Sequence, residues 1–145
     1  MTPALLEAFG TAFHPLSLLA IVAGTALGVL IGALPGLTAT MGMALLTPFT
    51  FFLDPTVGIA FLIGLYKGGT FGGSISAVLI GTPGTASNAA VMLDGYALAQ
   101  RGQSARALGL ALWGSVAGDF FGSIALVLGA PLLATVALRF GSPEF

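Results

Sequence analysis

The sequence predicts an all-α integral membrane protein of about four to five transmembrane segments, including broken or re-entrant helices at two Pro-Gly breaks. Three observations carry that expectation. First, 57% of the 145 residues are hydrophobic, only 6% are charged, and the mean hydropathy is +1.06. Soluble domains carry about 25% charged residues, so this chain lacks the polar surface that water requires. Second, no formally charged residue occurs between Glu7 and Asp54, and a charge-free run of that length reads as membrane-buried. Third, Pro35-Gly36 and Pro83-Gly84 each interrupt apolar sequence. A fully helical chain would reach roughly 220 Å, or about seven crossings of a ~30 Å hydrocarbon core, which loops reduce to four or five.

The elements follow in chain order. Leu16–Leu34 is an apolar run long enough to cross once. Pro15 stands at its start, where a missing N–H costs little, and Pro35-Gly36 ends it. Met1–Gly10 has no Lys or Arg, unlike a secretory signal, so this first segment is expected to be retained. Thr38–Leu53 resumes the apolar pattern with Pro48 inside it, which predicts a kink or break there. Asp54-Pro55 reads as a turn, since a residue before proline is pushed out of the helical region. Thr56–Tyr66 is too short to cross alone and must continue into Lys67–Gly73 or stop within the membrane. Ser74–Ile80 reads as another short run, halted by Gly81-Thr82-Pro83-Gly84. Thr85–Leu93 restarts, and Asp94–Arg106 is expected to be a hydrophilic loop, cytoplasmic by the positive-inside rule. Ser104–Gly129 is predicted as one long helix carrying Asp119, broken at Ala130-Pro131. Leu132–Arg139 would follow as an interfacial piece.

Composition excludes several functions. With four basic and five acidic residues and no basic cluster, nucleic acid is not an expected partner. The absence of cysteine removes disulfides, thiolate metal sites and cysteine nucleophiles. A single histidine, His14, argues against a transition-metal site.

Glycine is the second anomaly, at 22 residues, about twice the usual 7%. Many recur at four-residue spacing: Gly24, Gly28 and Gly32; Gly64, Gly68 and Gly72; Gly114, Gly118 and Gly122. Such ridges let helix backbones approach closely in lipid.

Function points to the two breaks. Pro35-Gly36-Leu37-Thr38 and Pro83-Gly84-Thr85 are each followed by hydroxyl or amide residues, Thr38 and Asn88 among them, suited to capping a new helix. Either break reads as an interfacial turn or as a broken helix. In the second case the new helix N-terminus offers free N–H groups and a positive dipole end, an anion site that needs no cationic side chain. Paired broken helices point to the binding site of a secondary transporter, with unwound carbonyls near Gly36 and Gly84 holding a coupling cation. Lys67 and Asp119 interrupt apolar segments; such charges pair, face water or serve function. Lys67 is the partner of Asp119 in an ion pair, a cationic helper for an anionic substrate, or a snorkelling side chain. An intramembrane serine protease centred on Ser74 is a remote alternative, for no base is favoured beside it.

The motifs Gly32-Ala33-Leu34-Pro35-Gly36-Leu37, Leu45-Leu46-Thr47-Pro48-Phe49-Thr50-Phe51, Tyr66-Lys67-Gly68-Gly69-Thr70-Phe71-Gly72-Gly73-Ser74-Ile75-Ser76-Ala77, Thr82-Pro83-Gly84-Thr85 and Leu93-Asp94-Gly95-Tyr96-Ala97-Leu98-Ala99 follow one another along nearly the whole chain. Together they resemble the large membrane subunit of tripartite tricarboxylate transporters, the TctA-type permeases of bacteria. The resemblance implies a non-enzymatic, cation-coupled (Na+ or H+) importer of citrate-like di- and tricarboxylates in the bacterial inner membrane. It implies partners: a small membrane subunit and a periplasmic substrate-binding protein. By position it makes Pro35, Gly36, Leu37, Thr38, Gly72, Gly73, Ser74, Thr82, Pro83, Gly84 and Thr85 the candidate substrate and ion contacts, beside the Asn88 and Lys67 already noted. Family permeases are longer and have a second half, so residues 1–145 are expected to form a single transmembrane domain like their N-terminal repeat. The remaining permease half would then be a further partner. Phe140–Phe145 fits the family's own Phe-Gly-x-Pro-Glu pattern. A truncated membrane scaffold that docks a partner without transporting is the alternative.

Overall fold

The computed structural model describes residues 10–137, in which every regular element is α-helical. Among the described residues, after a helical turn at 10–12, five helices follow in order: α1 (Pro15–Ala33), α2 (Ala39–Thr50), α3 (Pro55–Ile80), α4 (Asn88–Gln100) and α5 (Ser104–Ala137). Among the described residues two stretches are long and apolar enough to cross a membrane, Pro15–Ala33 and Ser104–Ala130.

Local chemistry explains the helix starts. Proline opens both α1 and α3, where its missing N–H costs nothing. His14 Nδ1 accepts from the Leu16 N–H at 3.4 Å ahead of α1, and Asp54 Oδ1 accepts from the Thr56 N–H at 3.0 Å ahead of α3. Asp54-Pro55 is thus the cap of a helix within the expected turn. Pro48 lies in the last turn of α2, which ends two residues later at Thr50.

Three segments differ from the sequence expectation. Thr56–Tyr66, the glycine cluster and Ser74–Ile80 form one unbroken helix, α3, of 26 residues and about 39 Å. Asp94–Arg106 is not a loop: α4 runs through Asp94 to Gln100, α5 starts at Ser104, and only Arg101–Gln103 lies between them. Asp94 is exposed on α4 while Gly95 beside it is buried, and the exposed Arg101 and Arg106 lie just after α4 and in the first turn of α5. Helix α5 also continues through Ala130-Pro131 to Ala137, absorbing Leu132–Ala137. The readings of Met1–Phe9 and of Phe140–Phe145 lie outside the described residues.

The chain divides into two compact units, one up to Ala111 and one from Leu112 onward. In the first, α3 is the central element, and glycine sets how α1 meets it. A Cβ added at Gly24, Gly28 or Gly32 would collide with the carbonyls of Phe61, Leu65 and Gly69 respectively. Conversely, a Cβ at Gly64, Gly68 or Gly72 would collide with the carbonyls of Ile21, Thr25 and Val29. Two bare ridges therefore interlock backbone to backbone, as small-residue ridges allow. Because the register rises together on both helices, α1 and α3 run parallel.

Helix α2 returns along α3 in the opposite sense. Its first residue, Ala39, abuts Gly69, and its last, Thr50, abuts Gly58. Helix α4 runs the other way. Asn88 lies over Gly73, Gly95 over Val78, and the Tyr96 ring beside Gly81. In the second unit, the ridge Gly114, Gly118 and Gly122 faces open space, with no atom within 4 Å of an added Cβ.

Candidate functional site

The two breaks differ in construction but deliver the same thing, a helix that starts against the middle of α3. At the first, α1 stops at Ala33, Leu34 turns extended, and Gly36 takes φ +92, open to left-handed backbone only without a Cβ cost. Thr38 then caps α2, its Oγ1 accepting from the Met41 N–H at 3.2 Å. At the second, Gly81 ends α3 with φ +68, and its N–H reaches back to the Ser76 carbonyl. The chain then folds back alongside α3 instead of leaving it. Gly84 lands on Gly73, its N–H donating to the Gly73 carbonyl at 3.4 Å. Only two glycines permit this contact: a Cβ at Gly84 would sit 2.7 Å from the Gly73 Cα and 2.9 Å from the Gly32 carbonyl oxygen.

Helix α4 starts four residues later, buried against α3. Asn88 is only 4% exposed and Ser74 2%. Ser74 Oγ donates to Asn88 Oδ1 at 3.1 Å, and Asn88 Nδ2 donates to the Thr70 carbonyl at 3.2 Å. Gly73 has no side chain because the Asn88 amide lies over it. Ser76 Oγ donates to the Gly73 carbonyl at 3.1 Å, closing the cluster.

The outcome is a meeting of two helix starts. Ala39, first in α2, contacts Gly69; Asn88, first in α4, contacts Gly73. Gly69 and Gly73 lie on one face of α3 a single turn apart, about 6 Å. From that level α2 runs toward the start of α3 and α4 toward its end. Their positive dipole ends therefore converge on one stretch of α3, and each adds roughly half an elementary charge there. The last turn of α1 brings the Gly32 carbonyl to the same place, beside Gly84.

The residues expected in the site separate into groups. Gly73, Ser74, Gly84 and Asn88 come together in one buried cluster. Gly72 instead belongs to the ridge packed on α1. Thr38 is the cap of α2, and Leu37 beside it is half-buried. Pro35, Gly36, Thr82 and Pro83 are exposed in the two breaks, and Thr85 pairs with Ser87, oxygen to oxygen at 2.9 Å. Lys67 is exposed on α3 and lines an apolar groove of about 440 Å³ with Met43, Ile59, Leu62, Ile63 and Tyr66. It lies seven residues before Ser74 on the same helix face, about 10 Å along the axis.

Sequence reading missed Gly32, Ala39, Gly69, Thr70 and Ser76 as parts of this centre. Gly32 and Gly69 were visible only as members of glycine runs. The roles of Ala39 and the Thr70 carbonyl exist only once the helices dock. For hydrolytic chemistry the arrangement is poor: Ser74 donates to an amide oxygen, a group that cannot serve as a general base.

Comparison with known proteins accords with this architecture. A sequence profile described as the tripartite tricarboxylate transporter TctA family matches residues 18–145. A curated relative from Agrobacterium vitis, an uncharacterized 52.8 kDa protein in the TAR-I ttuC' 3' region, is 40% identical over 137 residues. That match takes in 94% of this chain and 27% of the relative, so the chain spans about a quarter of the relative's length. No solved structure matches at a significant level. The chain belongs to the tripartite tricarboxylate transporter TctA family.

Proposed function

We propose that this chain is the N-terminal, single-domain part of the permease subunit of a tripartite importer, multi-pass in the bacterial inner membrane. It moves small di- or tricarboxylates such as citrate, handed over by a periplasmic substrate-binding protein and supported by a small membrane subunit. The remaining permease half completes the path. One observation carries this reading: α2 and α4 start against the same face of α3, one turn apart, at Gly69 and Gly73. A multiply charged carboxylate is the ligand class such a centre suits. Backbone N–H groups and two dipole ends favour negative charge in a chain almost without cationic side chains.

Within this reading the break residues line the anion's route, Pro35, Gly36, Thr82 and Pro83 exposed and Leu37, Thr38 and Thr85 half-buried. Lys67 supplies the nearby cation on the same α3 face. The Gly32 carbonyl beside Gly84 belongs to the negative end of α1, suited to a coupling Na+ or H+ carrier such as water. Alternating access would proceed by movement of the half-helices α2 and α4 about α3.

The test is uptake. Cells expressing the complete permease with its small membrane subunit and binding protein should accumulate labelled citrate or a related acid. Collapse of the ion gradients should abolish accumulation. Lack of uptake for every di- and tricarboxylate tried, with all partners present in the membrane, overturns the proposal and leaves a docking scaffold as the better description.

A further inference from the structure

Asn88 stands among the residues expected to touch substrate, yet both ends of its amide are used inside the protein. Its Oδ1 accepts from Ser74 Oγ at 3.1 Å and its Nδ2 donates to the Thr70 carbonyl at 3.2 Å. Both side chains are almost fully buried. The two helix starts also differ in a way that gives this amide a task. Helix α2 has its own cap, the Thr38 hydroxyl on the Met41 N–H. Helix α4 has none, since Ser87 makes no side-chain cap bond and pairs instead with Thr85. The returning segment of the break ties its backbone to α3 by two long bonds, Thr82 N–H to the Ser76 carbonyl and Gly84 N–H to the Gly73 carbonyl, each 3.4 Å. Further along α4, Gly95 packs on Val78; at its start the shortest polar ties to α3 are those of the amide, bridging one α3 turn from Thr70 to Ser74.

We propose that Asn88 and Ser74 form a positioning pair that sets the start of α4 against α3, and that neither contacts the transported anion. This rests on the reading of the two helix starts as the substrate centre. The glycines fit the assignment: a methyl at Gly73 would occupy the space of the Asn88 amide, and one at Gly84 would press on the Gly73 Cα. The pair acts as a unit, because removing either member leaves the other's buried polar atom without its partner.

Two readouts on the complete, partner-associated permease test the pair. Hydrogen exchange over residues 84–91 reports how firmly α4 is held, and it requires no transport. Ser74→Ala and Asn88→Ala should each speed exchange there at least fivefold, and the double variant should do no more than the worse single one. Asn88→Asp, which keeps the acceptor for Ser74 but loses the donor to Thr70, should fall between. Ser74→Ala removes a single oxygen, so the test stands even if Asn88→Ala fails to fold. In uptake assays the same variants should raise KM by one common factor for all carboxylates carried. Unchanged exchange in Ser74→Ala, or additive effects in the double variant, overturns the pairing. A changed preference among carboxylates with unchanged exchange would make Asn88 a direct contact and overturn it too. Failure of uptake alone would count against the transport reading and leave the exchange result to decide the pair.

Discussion

A single methyl group distinguishes the glycines of this chain. At Gly28 a Cβ would run into the Leu65 carbonyl, which is backbone and cannot swing aside. Gly28→Ala must push α1 off α3, and overpacking of that kind costs about 1–3 kcal/mol or more. Gly118 has the same spacing in its ridge but open surroundings. Gly118→Ala should be neutral or raise stability by up to about 1 kcal/mol, the helix-propensity difference. Thermal unfolding of the two variants in detergent checks the contrast; equal melting points would refute the interlocked ridges. Gly81 differs again, since its φ of +68 rather than its surroundings demands glycine. Gly81→Ala should cost about 1–2 kcal/mol and speed hydrogen exchange in Thr82–Ser87.

At the scale of the element, the helix starts decide what each break can do. Thr38 satisfies one N–H of α2 itself, so Thr38→Ala should cost about 1 kcal/mol and Thr38→Ser should recover most of it. The diagnostic is local: exchange should quicken over Ala39–Gly42 while α1 keeps its protection. The glycine-rich middle of α3 shows why helix continuity was hard to read. Counted along the sequence, Gly68, Gly69, Gly72 and Gly73 look like a break. In the fold each has a helix, α1, α2 or the start of α4, against its bare face, and that packing offsets the entropy glycine loses in a helix. Asp94–Arg106 misled for the opposite reason. Its charges are real surface, but Asp94 sits within α4 and Arg106 within α5, and beside Asp94 the buried Gly95 packs on Val78.

For the whole molecule, the proposed transport gives Lys67 a role that can be tested. It is exposed beside an apolar groove, on the α3 face that carries Ser74 further along. If it assists the anion, Lys67→Gln should raise the KM for carboxylate uptake about tenfold, a loss of about 1.4 kcal/mol, with normal amounts of protein in the membrane. Lys67→Arg should keep most of the affinity. A KM unmoved by Lys67→Gln would remove Lys67 from the site and leave the backbone N–H groups as the anion's partners.

The sequence by itself determined that the chain is helical and apolar, where α1 begins and ends, and that two Pro-Gly steps restart helices. Those properties are local: side-chain hydropathy, the fixed φ of proline and the tolerance of glycine act within a few residues. The glycine ridges were equally visible, but not which of them would be filled. Only the tertiary structure decided that two ridges interlock while Gly114, Gly118 and Gly122 stay open. It alone placed the starts of α2 and α4 on Gly69 and Gly73, and it made Asn88 a bridge between helices. These facts depend on which backbones can approach most closely, a condition that involves residues far apart in the chain and that no short stretch of sequence contains.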